Sequence, residues 1–316
     1  MAINMKKLYI AGHNGMVGSA LVRAVEKSDK YELIVASRDQ LDLLDQRAVF
    51  DFLNEKKPDV VIIAAAKVGG IHANSQYPAE FIYENLTIAS NIIEGSRRAN
   101  VQRLLNLGSS CIYPKQSPQP IKESYLLESQ LEVTNEAYAV AKIAALKMCQ
   151  HYRNQYDLLY HSAMPTNLYG TGDNYHPENS HVVPGLIRRI HQAKIDQSPS
   201  VTIWGTGNPR REFLHVDDLA VACMTLIEQA NPPDWINIGT GYDISIKELA
   251  ELIIDIVGFK GTIENDYSKA DGTPQKLLDV SLCEQMGWRA TISLRDGLER
   301  AYRSFLEEIE SKTLRM

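Results

Sequence analysis

Residues 8–18 read Leu8-Tyr9-Ile10-Ala11-Gly12-His13-Asn14-Gly15-Met16-Val17-Gly18, an apolar run entering G-x-x-G-x-x-G. The run has the character of a buried strand, and Val17 to Lys27 continues with helical periodicity. Strand, glycine turn and helix in that order are the context in which such a turn takes a pyrophosphate. The glycines allow a tight bend and close backbone approach, and the helix N-terminus faces the negative charge. The residues assigned to this cradle are Gly12, His13, Asn14, Gly15, Met16, Val17 and Gly18. A second strand over 32–36 ends in Ser37-Arg38-Asp39. An acidic residue about 20 positions past the turn would bind the ribose 2′-hydroxyl of NAD, whereas a guanidinium suits the 2′-phosphate of NADP. Arg38 occupies that place, so NADP(H) is the expected cofactor, with Asp39 the opposing residue.

Outward from the turn, helix and strand patterns alternate: a helix over 45–55, a strand over 60–66, a helix over 78–100 and a strand over 103–108. Buried strands separated by helices make βαβ units and a parallel sheet. From Asn167 the text changes to Gly, Asn and Pro, then to a helix over 183–194, strands over 201–204, 235–239 and 262–265, and helices from 216 and over 246–257. The fold class expected is α/β: a Rossmann-type doubly wound parallel sheet with a smaller α+β substrate-binding lobe. The division expected is a cofactor domain over 1–166 with returning segments at 212–240, and a substrate lobe from 167–211 and 241–316.

Among 316 residues, 33 basic against 39 acidic give a net charge of −6, which argues against nucleic acid or an anionic membrane as partner. No stretch approaches the roughly 20 apolar residues of a spanning helix. The opening residues run straight into a strand, which leaves no signal peptide and points to the cytoplasm. Cysteines 111, 149, 223 and 283 form no C-x-x-C pair, so no metal motif is read; Cys149 and Cys223 lie on apolar helical faces as core residues.

Tyr138-Ala139-Val140-Ala141-Lys142 is Y-x-x-x-K on a helix, which places both side chains on one face. An ammonium near a phenol is expected to lower its pKa, making Tyr138 an acid/base for carbonyl–alcohol interconversion. Ser109, at a strand end, can donate to the same oxygen. In Gly108-Ser109-Ser110-Cys111 the thiol is two residues beyond Ser109, so on an extended backbone both point one way. His181, in a polar loop, is expected to titrate near neutrality.

With the glycine turn, Ser109, Tyr138 and Lys142 together, the chain resembles the extended short-chain dehydrogenase/reductase superfamily. Within it, the blocks AGHNGMVGSA, AAAKVGGI, GSSCIYP, NEAYAVAK, MPTNLYG, NSHVVPGLIRR, WGTGNPRREFLHVDDLA and DGTPQKLLDV resemble the bifunctional 3,5-epimerase/4-reductases of GDP-4-keto sugars. The resemblance implies an NADPH-dependent oxidoreductase with an isomerase activity, acting on GDP-4-keto-6-deoxy-D-mannose. It assigns Cys111 and His181 as the epimerisation pair and Ser109, Tyr138 and Lys142 as the reductase set. It adds Leu107, Gly108, Ser110, Pro165, Thr166, Asn167, Leu168 and His181 to the cofactor contacts. For the GDP-sugar it implies Asn167, Arg189, Trp204, Arg211 and Asp271, while Val68-Gly69-Gly70-Ile71 is expected near the sugar. Some members carry arginine at the position of Asn14, so here Arg38 alone carries the choice of NADP.

A nucleotide-sugar 4,6-dehydratase would place an Asp-Glu pair where this chain has Ser110-Cys111, and a simple 4-epimerase would need no Cys/His pair. The same groups would serve another GDP-4-keto sugar, such as a colitose precursor or a 6-deoxy-heptose. A silent NADP-binding protein would not need Ser109, Cys111, Tyr138, Lys142 and His181 together. A homodimer, with the helices over 78–100 and 137–156 paired in a four-helix bundle, is implied by resemblance.

Overall fold

A computed structural model of the chain describes residues 5–268 and 271–316, apart from the side chains of Ile71 and His72. The first half runs β1 (Lys6–Ala11), α1 (Met16–Glu26), β2 (Tyr31–Ile34), α2 (Gln46–Lys56), β3 (Val60–Ile63), α3 (Ile71–Gln76), α4 (Pro78–Arg98), β4 (Arg103–Leu107), α5 (Glu136–Tyr156) and β5 (Leu159–Pro165). The second half runs β6 (Asn167–Tyr169), α6 (Val182–Ile195), β7 (Ser200–Trp204), β8 (Arg210–His215), α7 (Val216–Leu226), β9 (Trp235–Ile238), β10 (Asp243–Ser245), α8 (Ile246–Val257), β11 (Thr262–Asp266), β12 (Gln275–Lys276), α9 (Ser281–Gln285) and α10 (Leu294–Glu310).

Six strands form one sheet in the order β2-β1-β3-β4-β5-β9, every pairing parallel. All six carboxyl ends therefore lie on one edge, and the strand order reverses between β1 and β3, where open α/β sheets bind ligands. Helices cover both faces, so the central strands are largely apolar: all four residues of β3 are apolar and buried. Each such side chain contributes about 1.5–3 kcal/mol. One core lies under α1 and α7 and another under α2, α4 and α5. This is the doubly wound sheet that the alternating pattern predicts.

A third core gathers α6, α8 and α10 with β7. Its helices begin and end where local chemistry dictates. Ser245 and Glu248 close a capping box on α8, which stops at Gly258 with φ +74°. β11 pairs with β7 in parallel, and β8 pairs with β6, β10 and β12. The Gly/Asn/Pro text after Asn167, expected as loop, thus begins with strand β6, and the charged stretch before Val216 is strand β8. Both are short and hold polar residues, and they pair with each other outside the six-stranded sheet. Cys283 and Trp288, in the segment assigned by sequence to the second lobe, pack instead against the core beneath α1 and α7.

Candidate active site

The glycine turn is built by backbone contact. Gly12 has φ +87°, and a Cβ there would stand 2.6 Å from the Ala65 Cα. A Cβ on Gly18 would overlap the Gly12 carbonyl oxygen and come within 2.7 Å of the His13 Cα. Gly15 N donates to Gly12 O at 3.1 Å, closing the bend. Gly15 is the N-cap of α1 and supplies no side chain to its first amides. A cradle that excludes Cβ atoms, opening on uncapped amides, fits a dinucleotide pyrophosphate. Arg38 lies exposed just past β2, with Asp39 and Asn14 also exposed.

The segment after β3 is fastened to α4. Asn85 accepts from Lys67 N at 3.1 Å and donates to Lys67 O at 3.0 Å, and the Lys67 ammonium pairs with Glu80 and Glu84. Gly70 N donates to Asn179 O at 3.3 Å, tying this loop to the segment before His181. Ile71 opens α3, which periodicity does not reveal; its side chain lies outside the described residues.

After β4 the backbone does not stay extended. Ser109 caps a 3-10 turn over Ser110–Ile112, and its hydroxyl accepts from Cys111 N at 3.2 Å. The extended backbone expected between Ser109 and Cys111 is therefore replaced by a turn, in which the Cys111 amide bonds to the Ser109 hydroxyl. Tyr138 and Lys142 leave α5 on the same side, with the Lys142 nitrogen 5.7 Å from the phenol ring centroid. Lys142 is buried and donates to Leu107 O at 2.8 Å. Burial lowers its pKa to about 8. The Tyr138 phenol is pushed up, not down: burial disfavours the phenolate and negative charge on Cys111 adds to this, while a hydrogen bond with Ser109 acts the other way. The ammonium that sequence expected to lower the phenol donates to the Leu107 carbonyl, and burial of the phenol prevails.

His181 is the N-cap of α6 and is open to solvent, yet surrounding protein pushes its imidazolium below the usual range. Desolvation by that protein lowers the His181 pKa, where the loop text predicts titration near neutrality. Among the described residues no hydrogen bond joins His181 to Cys111; the first sits on α6, the second on the β4 edge. Arg189, two turns along α6, donates to Thr202 O at 2.8 Å and stands 5.3 Å over the Trp204 ring. Trp204 is 52% exposed, a face presented outward rather than packed away. Asp271 accepts from Thr206 N at 2.9 Å and from its hydroxyl at 2.6 Å, holding the turn after Trp204. Arg211 donates to Thr273 O at 2.6 Å, and Asn167 donates to Glu212 O at 2.9 Å. Pro165 ends β5, Thr166 donates to Glu212 O at 3.3 Å, and Leu168 lies in β6.

A helix-flanked parallel sheet with a glycine cradle after β1 and Ser109, Tyr138 and Lys142 at its carboxyl edge matches one family model, the NAD dependent epimerase/dehydratase family, over residues 8–239. The chain belongs to that family. It is 52% identical to the GDP-L-fucose synthase of Escherichia coli K12 over 315 residues, covering 96% of this chain and 98% of that one. It is 51% identical to GDP-L-fucose synthase 1 of Arabidopsis thaliana, covering 98% and 96%. The structure superposes on a GDP-L-fucose synthetase of Naegleria fowleri bound to NADP with a TM-score of 0.90 at 25% identity, covering 98% and 97%.

Two residues of this family member's site escape sequence reading. Glu212 is fully buried in β8. Its carboxylate accepts from Thr240 N at 2.6 Å, Gly241 N at 2.8 Å and Leu278 N at 3.0 Å. It clips three chain segments together beside the site. Lys276, in β12, reaches to 3.9 Å from the Cys111 sulfur. Neither has a local signal, because their partners lie 28 to 165 residues away.

Proposed function

We propose that the protein converts GDP-4-keto-6-deoxy-D-mannose to GDP-L-fucose, epimerising C3 and C5 and then reducing C4 with NADPH. The observation that supports this most is Cys111 beside the Ser109–Tyr138 pair, its amide bonded to the Ser109 hydroxyl and its charge acting on the Tyr138 phenol, where a plain reductase needs no thiol. Protons at C3 and C5 are acidified by the C4 ketone, since loss of either leaves an enolate whose charge rests on O4. Ser109 and Tyr138 donate hydrogen bonds to that oxygen, and Cys111 and His181 remove and return the carbon-bound protons. When bound at the glycine cradle, NADPH supplies hydride to C4. Tyr138, kept protonated by burial, gives its proton to O4, and the charged Lys142 stabilises the phenolate left behind. Arg38 meets the 2′-phosphate. Arg189 and Arg211 take the diphosphate, and Trp204, Asn167 and Asp271 surround the nucleotide and sugar.

The reading includes a cofactor domain over 1–166 with 212–240, a substrate lobe from 167–211 and 241–316 with the stretch around Cys283 and Trp288 joined to the cofactor side, a cytoplasmic location and a homodimer. Tyr83 on α4 and Val140 and Tyr156 on α5 are exposed, which supports pairing of these helices between copies. Analytical ultracentrifugation giving only monomer would exclude the pairing. The activity is tested by one incubation with the keto-sugar and NADPH in D₂O, followed by NMR. Cofactor oxidation, GDP-L-fucose and deuterium at both C3 and C5 are expected; deuterium at neither leaves a reductase and refutes the proposal.

A further inference from the structure

The second lobe sends one short strand back against the active-site thiol. β12 has two residues, but its neighbourhood is fastened on every side. Arg210 N donates to Pro274 O at 2.8 Å, and Gln275 donates to the Asp243 carboxylate at 2.5 Å. Leu277 N donates to Gln119 Oε1 at 2.8 Å, and Leu278 N to the buried Glu212 at 3.0 Å. Between these anchors stands Lys276, part-buried, with its ammonium 3.9 Å from the Cys111 sulfur. A lysine side chain is ordinarily free to wander. Here both flanking residues are pinned, so the ammonium is delivered from a fixed backbone.

Three ionisable groups act on the sulfur: Tyr138 from α5, Arg211 from β8 and Lys276 from β12. Tyr138 is neutral, because burial disfavours its phenolate. Arg211 is turned to the backbone, its Nη1 donating to Arg210 O at 2.8 Å and to Thr273 O at 2.6 Å. Lys276 is the cation that addresses the sulfur directly. An opposite charge within about 4–6 Å favours the charged form of its neighbour, and the thiolate is the reactive form of cysteine.

We propose that Lys276 is the electrostatic partner of Cys111, a positioning residue that stabilises the sulfur while it carries negative charge and so equips it to take a proton from carbon. This deepens the epimerase reading above and rests on it for its purpose. Its test needs neither substrate nor cofactor. Iodoacetamide is added to the full-length protein across pH 6–10 and labelling is followed by mass spectrometry; the thiolate displaces iodide and forms a thioether. Cys149, Cys223 and Cys283 are buried, and a Cys111→Ser protein sets their background. Lys276→Met is expected to slow labelling of Cys111 at pH 7 by about tenfold. Lys276→Arg, which keeps the charge, is expected to stay within about threefold of the parent. A methionine variant that labels like the parent, or an arginine variant as slow as methionine, overturns the proposal. If the methionine variant unfolds, seen as labelling of the three buried cysteines, the same comparison is read from Lys276→Gln. Absence of deuterium exchange in the parent would instead refute the epimerase activity and leave the thiol measurement standing.

Discussion

Gly15→Ala and Gly18→Ala are the same chemical change three residues apart, and the structure separates their consequences. At Gly18 the new methyl would overlap the Gly12 carbonyl oxygen and stand 2.7 Å from the His13 Cα. Non-bonded carbons settle at about 3.5–4.0 Å, and both obstacles are backbone, so the turn must open by about 1 Å. Overpacking against backbone that cannot move aside costs about 3 kcal/mol. At Gly15 the backbone has φ −76°, ordinary for alanine, and the nearest atom to a Cβ is Gly12 O at 3.5 Å. The fold loses only a favourable N-cap, about 1 kcal/mol or less. The added methyl instead occupies the space over the α1 amides. Losing one hydrogen bond to a charged phosphate costs about 1.5–3 kcal/mol, or about 10- to 100-fold in Kd. Urea unfolding followed by tryptophan fluorescence reports the first effect, and titration with NADPH by its own fluorescence the second. Gly18→Ala should unfold at clearly lower urea, and Gly15→Ala should unfold near the parent while binding NADPH weakly. A Gly15→Ala protein that binds NADPH like the parent would refute the cradle.

Lys142→Met should lower the rate of C4 reduction at least about 100-fold, and in the parent that rate should fall as pH rises through about 8, where the ammonium titrates. The linkage sign is set by its depressed value: between about pH 8 and its unfolded value near 10.4 the unfolded chain binds more protons. Parent stability should therefore rise with pH there, by up to about 3 kcal/mol, a slope that urea titrations should find missing in Lys142→Met. Asp173 shows the opposite case: burial raises its carboxyl to about 7, and among the described residues its Oδ2 has no hydrogen-bond partner. The folded chain then binds more protons from about pH 4 to 7, so this group's contribution is full at low pH and is lost as pH rises through 7. Asp173→Asn should raise the urea midpoint at pH 8 and leave it nearly unchanged at pH 4.5; equal effects at both would exclude the assignment.

Much of the first half is legible because its signals are local. Val60 to Ile63 are four apolar residues in a row, as a strand covered on both faces requires, and Tyr138 and Lys142 share a helix face by spacing alone. The same text hides β6 and β8, which are short, partly polar and stabilised by pairing with each other 46 residues apart. It misses the turn at Cys111, because the 3-10 geometry depends on Ser109 accepting an amide rather than on any hydrophobic period. It also misjudges Tyr138, whose phenol responds to burial and to where Lys142 points.

By itself the sequence pointed to the glycine cradle, the alternating order of strands and helices, and Ser109, Tyr138 and Lys142 as candidates, since each depends on residue type and spacing within a few turns of chain; Cys111 and His181 as a pair came from the family resemblance. Tertiary structure alone decided which charges these groups meet. Glu212 gathers three segments, β12 carries Lys276 across 165 residues to the Cys111 sulfur, and crowding lowers the His181 pKa. The reason is physical: hydrophobic period and turn chemistry act locally, while desolvation and Coulomb interactions depend on what the folded chain brings within a few ångströms.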